Sequence, residues 1–248
     1  MKPDIAFAIN WLAAYTANPS IIHYMAVKWI LGCLKGTINI GLTYQDIPSS
    51  NIIYGYLDAT FTNADDYKLT SGYVFLAGDA AITWGSQKQS MIALSSTEAE
   101  YVALSESLYE IMWLRHLYGE LGYIQKEPTM LLGDNGGLIA MAWNPQFHKW
   151  SKHIAIRWHW VRDLVQDGLV NIQDCCDLDQ TADILTKALQ QQKHAKHMKE
   201  LGLSMVWGGV LDISWLQATT GGWSCHMLWH KSQVINKGIF YASYKTII

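Results

Sequence analysis

The chain has 248 residues, half of them hydrophobic, and a formal charge of −3. That is enough apolar material for a full buried core, in one domain or two small ones. The mild acidity excludes a protein that coats nucleic acid through bulk electrostatics, while local basic patches stay open. No leading segment joins a basic start to an apolar run and a small-residue cleavage site. No apolar stretch reaches the roughly 18 residues of a membrane span, so an intracellular protein that makes no membrane contact is expected. Cys33, Cys175, Cys176 and Cys225 form no C-x-x-C pair. Neither a zinc site nor a disulfide framework is indicated, and reduced thiols are expected.

In chain order, "PDIAFAINWLAAYT" at 3–16 opens with a proline suited to a first helical turn and carries apolar residues at helical spacing. "NPS" interrupts it, and the run from Ser20 to Gly36 predicts a second helix with glycine as terminator, giving an antiparallel hairpin. "INIGLTY" reads as a strand and "QDIPSSN" as a linker. "IIYGYLD", "SGYVFLAG" and "AAITWGS" are short runs rich in β-branched and aromatic residues, and Gly78-Asp79 between the last two predicts a type II′ hairpin turn. A helix over Thr97 to Tyr118 follows, then the strand "TMLLGD", a helix from Asn135 to Trp143 and a longer one across "HIAIRWHWVRDLVQDG". "LVNIQDCC" is a fifth strand in this series and "DQTADILTKAL" a final helix. This order implies a mixed sheet with helices packed on it. From Ser204 onward, Trp207, Trp215, Trp223 and Trp229 lie in a stretch with neither periodicity, to which no architecture is assigned.

The carboxylates carry the chemistry. Asp58 follows the first strand of the central series and Asp134 the fourth, and sites in open sheets gather at the carboxyl ends of parallel strands. Glu98 and Glu100 must face nearly opposite ways on a helix. Glu100 shares its stripe with Ala103, Leu104, Ser107, Leu108 and Ile111, which makes it the inward one. The competing structural explanation is a capping box, Thr97-x-x-Glu100. Asp183, in "TADILTK", also fits an exposed acid favoured by the dipole of a helix start.

"YGYLDATF", "LTSGYVFLAGDAAITWGSQKQSMIALSSTEAEYVAL", "LLGDN", "NPQFHKWSKHIAIRWHWVRD" and "DQTADILTK", in this order, resemble the ribonuclease H domain of copia-type retrotransposon polyproteins. The opening segment resembles the thumb-side end of the same family's reverse transcriptase, and nothing resembles the polymerase palm with its Tyr-x-Asp-Asp turn. The resemblance implies an α/β ribonuclease H-like mixed five-stranded sheet flanked by helices and preceded by a helical hairpin. It divides the chain into a thumb or connection remnant at 1–44, a linker at 45–51, the ribonuclease H-like domain at 52–203 and a divergent tail at 204–248. It also implies that Asp58, Glu100, Asp134 and Asp183 hold two Mg²⁺ ions, with Mn²⁺ as a substitute, and that the reaction is endonucleolytic cleavage of RNA paired to DNA. Two such ions activate a water and stabilise the leaving oxygen of an in-line displacement. Ser71, Asn135, Lys149, Lys152, His153, Arg157 and Arg162 are the implied nucleic-acid contacts, and the rest of a reverse transcriptase, in a cytoplasmic virus-like particle, is the implied partner.

The departures from the family pattern are specific. The loop before the last helix reads "CCDLDQ", without the histidine of cellular ribonucleases H. "KHIAIR" has Ala155 where the family carries an acid, and "ATFTNADD" lacks the usual aspartate-tryptophan. His148, His153 and His159 fit no zinc spacing. Two rival expectations follow: a relic that keeps the fold and at most binds nucleic acid, and an integrase-like nuclease. The second is disfavoured because the glutamate here precedes the second aspartate. No polymerase activity is expected.

Overall fold

The computed structural model describes residues 2–45, 50–61, 69–89, 96–134 and 152–206, with backbone alone at 61, 96, 97 and 152–158. The helix expected at 135–143 and the tail from 207 lie outside these residues. A 3-10 turn, Pro3–Ile5, leads into α1 (Ala6–Ala13), and α2 (Ile21–Gly36) completes the expected hairpin. The start of α2 is fixed by an exchange in which the Ser20 N–H donates to His23 Nδ1 at 3.0 Å, the imidazole serving where a capping box uses Glu or Gln. β1 (Ile40–Leu42), β2 (Tyr54–Phe61), β3 (Leu69–Ala77), β4 (Ala80–Lys88), α3 (Ser96–Glu120) and β5 (Thr129–Gly133) follow. Then come α4 (Lys152–Gln166), β6 (Val170–Asp174), α5 (Asp183–Thr186), α6 (Gln191–Glu200) and β7 (Leu203–Met205).

The main sheet has the order β4-β3-β2-β5-β6. β2, β3 and β4 are antiparallel neighbours, while β5 runs parallel to both β2 and β6. With its flanking helices and preceding hairpin this is the expected ribonuclease H-like class. Side chains alternate between its two faces. Leu57 and Phe75 meet Leu104, Leu108 and Ile111 of α3 and Val161 of α4 on one face. Val74 and Leu76 meet Ile184, Leu185, Leu201 and Leu203 on the other. Leu108 is fully buried, and truncating such a side chain to alanine costs about 3 kcal/mol. The stripe containing Glu100 is buried as expected, but Tyr101, Val102 and Ser105 beside it are buried too, so the first half of α3 is covered on both flanks.

Three local readings change. Gly78 and Asp79 have φ of +59° and +58°, so the β3–β4 turn is type I′ rather than type II′. Aspartate tolerates the left-handed region, and this turn matches the right-handed twist of the flanking strands. The single final helix expected at 179–189 is instead one turn, α5, ended by the extended backbone of Lys187, followed by the separate α6. Every side chain of α5 is buried, so packing rather than periodicity sets its length. α6 carries only Ala195 and Met198 as apolar residues, too few for an apolar stripe to announce it. Cys175 and Cys176 are free thiols as expected, whereas Cys33 is disulfide-bonded.

β7 pairs antiparallel with β1, Leu42 opposite Leu203, in a second, two-stranded sheet. This sheet ties the segment after the hairpin to residues following α6. No described helix is long and apolar enough to cross a membrane.

Candidate active site

The register of the parallel pair brings the first two carboxylates level. Tyr56 of β2 lies beside Leu132 of β5, where the described pairing ends, and Asp58 and Asp134 each come two residues later. The strands part there, at the point where the sheet order turns back on itself, and that is where a parallel sheet leaves a crevice. Asp58 shares a face with Tyr54 and Tyr56, the face covered by α5. α5 comes close because Gly72, paired with Asp58 across the β2–β3 ladder, has no side chain. A Cβ there would stand 2.5 Å from Thr186 Cγ2 and 3.0 Å from Leu185 Cβ. A buried Gln180 side chain donates to Leu57 O at 2.9 Å and holds the loop before α5 against the same strand.

One carboxylate oxygen from each of Asp58, Asp134 and Asp183 lies within 4.8 Å of the other two. Asp183 and Asp58 are buried, and Asp134 is the most accessible of the three. Asp58 Oδ2 accepts from Thr60 Oγ1 at 2.9 Å and from Thr186 Oγ1. Lys187 Nζ is 2.6 Å from Asp183 Oδ1 and 3.7 Å from Asp58 Oδ2, and Lys193 Nζ is 2.5 Å from Asp183 Oδ2. Burial, then the neighbouring Asp58 charge, push the Asp134 carboxyl above its usual value, with Lys187 opposing. Burial works against the Lys187 charge, yet Asp58, Asp183 and Asp134 outweigh it and raise its ammonium above the usual value. Burial and the surrounding aspartates push the Cys175 thiol up to about 12. Three hard oxygen donors in one place, already facing cationic nitrogens, fit a divalent cation.

Of the four acids expected from the sequence, Asp58, Asp134 and Asp183 are brought together. Glu100, half-buried near the start of α3, is not one of these three. Ser71 is buried in β3, and its Oγ accepts a bond from the buried Gln89 Nε2 at 2.9 Å. The same nitrogen donates to Ala99 O at 2.7 Å, fastening the start of α3 to the sheet. Lys152, His153, Arg157 and Arg162 all lie on α4. Asn135 and Lys149, and the side chains of Lys152, His153 and Arg157, are outside the described residues.

Sequence reasoning assigned no role at the acids to Thr186 and Gln180, and it reads Lys187 and Lys193, with Lys196 and Lys199, as a basic cluster on a solvated helix face. Thr186 and Lys187 stand three and four residues after Asp183, a helical spacing that places them beside it. Lys193 and Gln180 gave no such signal, because the path of the intervening chain decides where they land.

The order of the strands and the acidic group between the ends of β2 and β5 define a ribonuclease H-like α/β domain with three acids able to hold a metal ion. No family model matches the chain. It is 37% identical over 193 residues to the retrovirus-related Pol polyprotein from transposon TNT 1-94 of Nicotiana tabacum, covering 77% of this chain and 14% of that protein. It is 35% identical over 216 residues to the retrovirus-related Pol polyprotein from transposon RE2 of Arabidopsis thaliana, covering 86% and 15%. Among solved structures, RNase H1 from the halophilic archaeon Halobacterium salinarum NRC-1 aligns with a TM-score of 0.39 and 16% identity, over 54% of this chain and 93% of that one. The chain belongs to the copia-type retrotransposon Pol polyproteins and corresponds to a short segment of them.

Proposed function

We propose that the chain is the ribonuclease H part of a copia-type reverse transcriptase, a metal-dependent endonuclease that cleaves the RNA strand of RNA–DNA hybrids. The observation that carries this reading is the convergence of Asp58, Asp134 and Asp183 at the parted ends of two parallel strands. Asp58, Asp134 and Asp183, with Glu100 as the fourth acid, would hold Mg²⁺ or Mn²⁺, which supplies an activated water and charge neutralisation at phosphorus. Thr60 and Thr186 orient Asp58, and Gln180 holds the loop that delivers Asp183. The basic residues from Lys149 to Arg162, with Asn135, form the proposed hybrid contacts, and Ser71, bonded to Gln89 inside the sheet, could take part only by exchanging that bond. Strand choice then rests on 2′-hydroxyl contacts across a wide minor groove. The catalytic unit is 52–203, preceded by a thumb-side remnant at 1–44.

A second reading, a non-catalytic relic, is favoured by one observation: each oxygen of Asp183 lies within ion-pair distance of a lysine, which balances its charge without a metal. The test is incubation of purified protein with an RNA–DNA hybrid and Mg²⁺ or Mn²⁺. The nuclease reading expects RNA fragments with 5′-phosphate and 3′-hydroxyl ends, intact DNA duplex, and no turnover by Asp58→Asn with hybrid binding retained. Equal binding and no cleavage by either protein would establish the relic.

A further inference from the structure

The two lysines at the acidic centre face each other across Asp183. Lys187 takes Oδ1 at 2.6 Å and also approaches Asp58 Oδ2 at 3.7 Å, while Lys193 takes Oδ2 at 2.5 Å. Asp183 is fully buried, so without these partners its charge would stand uncompensated inside the protein, at a cost of several kcal/mol. Three carboxylates against two ammonium groups leave these five side chains with a residual charge of −1. Each Asp183 oxygen keeps a second lone pair, but two ammonium charges within 2.6 Å repel a divalent cation from this carboxylate, so cation and lysines compete for it.

The lysines are placed to withdraw. Their side chains keep 31% and 27% of their exposure, so each ammonium reaches water without crossing the core. Lys193 has a second seat, the carbonyl of Asp177 at 3.2 Å and its carboxylate at 3.7 Å, on an exposed residue. Lys187 follows the single turn of α5 in extended backbone, on a four-carbon stem that can swing outward.

We propose that Lys187 and Lys193 are resident counter-cations that occupy the acidic centre in the metal-free protein and compete with a divalent cation for Asp183. The inference rests on the metal-dependent reading above and assigns the lysines a role in setting metal affinity. Reciprocity follows: whatever the lysines take from the affinity for metal, the metal takes from their hold on Asp183. The metal-free fold is thereby kept stable, and loading is confined to conditions in which the cation outcompetes two tethered charges.

The test is direct titration of the full chain with MgCl₂ by calorimetry, with melting temperature followed with and without Mg²⁺. Wild type is compared with Lys187→Met, Lys193→Met and Lys187→Arg. Lys196→Met, whose partners are Asp179 and Glu200, serves as a control for a general loss of positive charge. Both Met variants at the centre are expected to bind Mg²⁺ about tenfold more tightly, to melt lower without it, and to gain more on its addition. Lys187→Arg keeps the charge and is expected to show no gain, and Lys196→Met little. If Lys187→Met folds only with Mg²⁺, the proposal is supported, and the more peripheral Lys193→Met still gives the titration. If wild type binds Mg²⁺ and neither Met variant binds it more tightly than Lys196→Met, the competition is refuted while the nuclease reading survives. If no variant binds Mg²⁺ or Mn²⁺, both are overturned.

Discussion

The two ends of β5 each hold a charge, half-buried at one end and buried at the other, and they satisfy it differently. At the amino end, the Arg115 guanidinium of α3 donates to Gln125 O at 2.7 Å, Thr129 Oγ1 at 2.8 Å and Glu127 O at 3.0 Å. At the carboxyl end, the buried Asp183 and Asp58 are answered by the ammonium groups of Lys187 and Lys193. Neutral carbonyls fixed in the backbone cannot be exchanged for anything else, so the Arg115 end is a permanent clamp. Flexible cations can be exchanged for other cations, so the Asp183 end is stable yet open to a ligand. A charge solved by fixed dipoles therefore marks architecture, and one solved by mobile counter-ions marks a place for chemistry.

The most severe way to break this contrast is at Gly72. In Gly72→Val the new side chain would collide with Thr186 and Leu185, and overpacking of this kind costs about 1–3 kcal/mol. Because α5 is what must move, the variant is expected to lose all Mg²⁺-dependent stabilisation and any hybrid cleavage, beyond its lower melting temperature. Thermal melts with and without Mg²⁺ would show it. Arg115→Ala should cost about 2 kcal/mol from lost hydrogen bonds to a charged group. Its metal binding and cleavage per folded molecule should be unchanged, and loss of either at a temperature where circular dichroism reports native protein would break the distinction between the two ends.

Asp134 gives a smaller effect of opposite sign. Burial, then the neighbouring Asp58 charge, hold its carboxyl above the usual value, so the folded state binds that proton more tightly than the unfolded chain. Stability from this group is therefore gained as pH falls through the folded value and is absent near neutrality. Asp134→Asn should melt slightly higher than wild type at neutral pH without Mg²⁺, with the difference shrinking on acidification, and should lose the Mg²⁺-dependent gain. Melting curves across the acid range check both parts. The smallest effect is at Cys175, whose thiol is pushed up to about 12 by burial first and the aspartates next. It should resist iodoacetamide at pH 8 relative to an unstructured cysteine peptide, as mass spectrometry of the labelled peptides would show.

The amino-acid sequence by itself determined the helical hairpin, the order of the five central strands and the α3 and α4 helices among them, and three of the acids that meet. The β-branched and aromatic runs at "YGYLD" and "GYVFL", the apolar stripe of α3 and the short apolar run of "TMLLGD" are local patterns, and each follows from the geometry of its own element. Glu100 shows the limit of such reasoning. Its inward stripe was legible, but which face of the sheet α3 covers was not. The paired left-handed residues at Gly78-Asp79, the single turn of α5, the pairing of β1 with β7 and the arrival of Lys193 at Asp183 were decided by tertiary structure alone. Each depends on contacts between segments far apart in the chain, where burial and charge compensation outweigh the local preferences that a sequence displays.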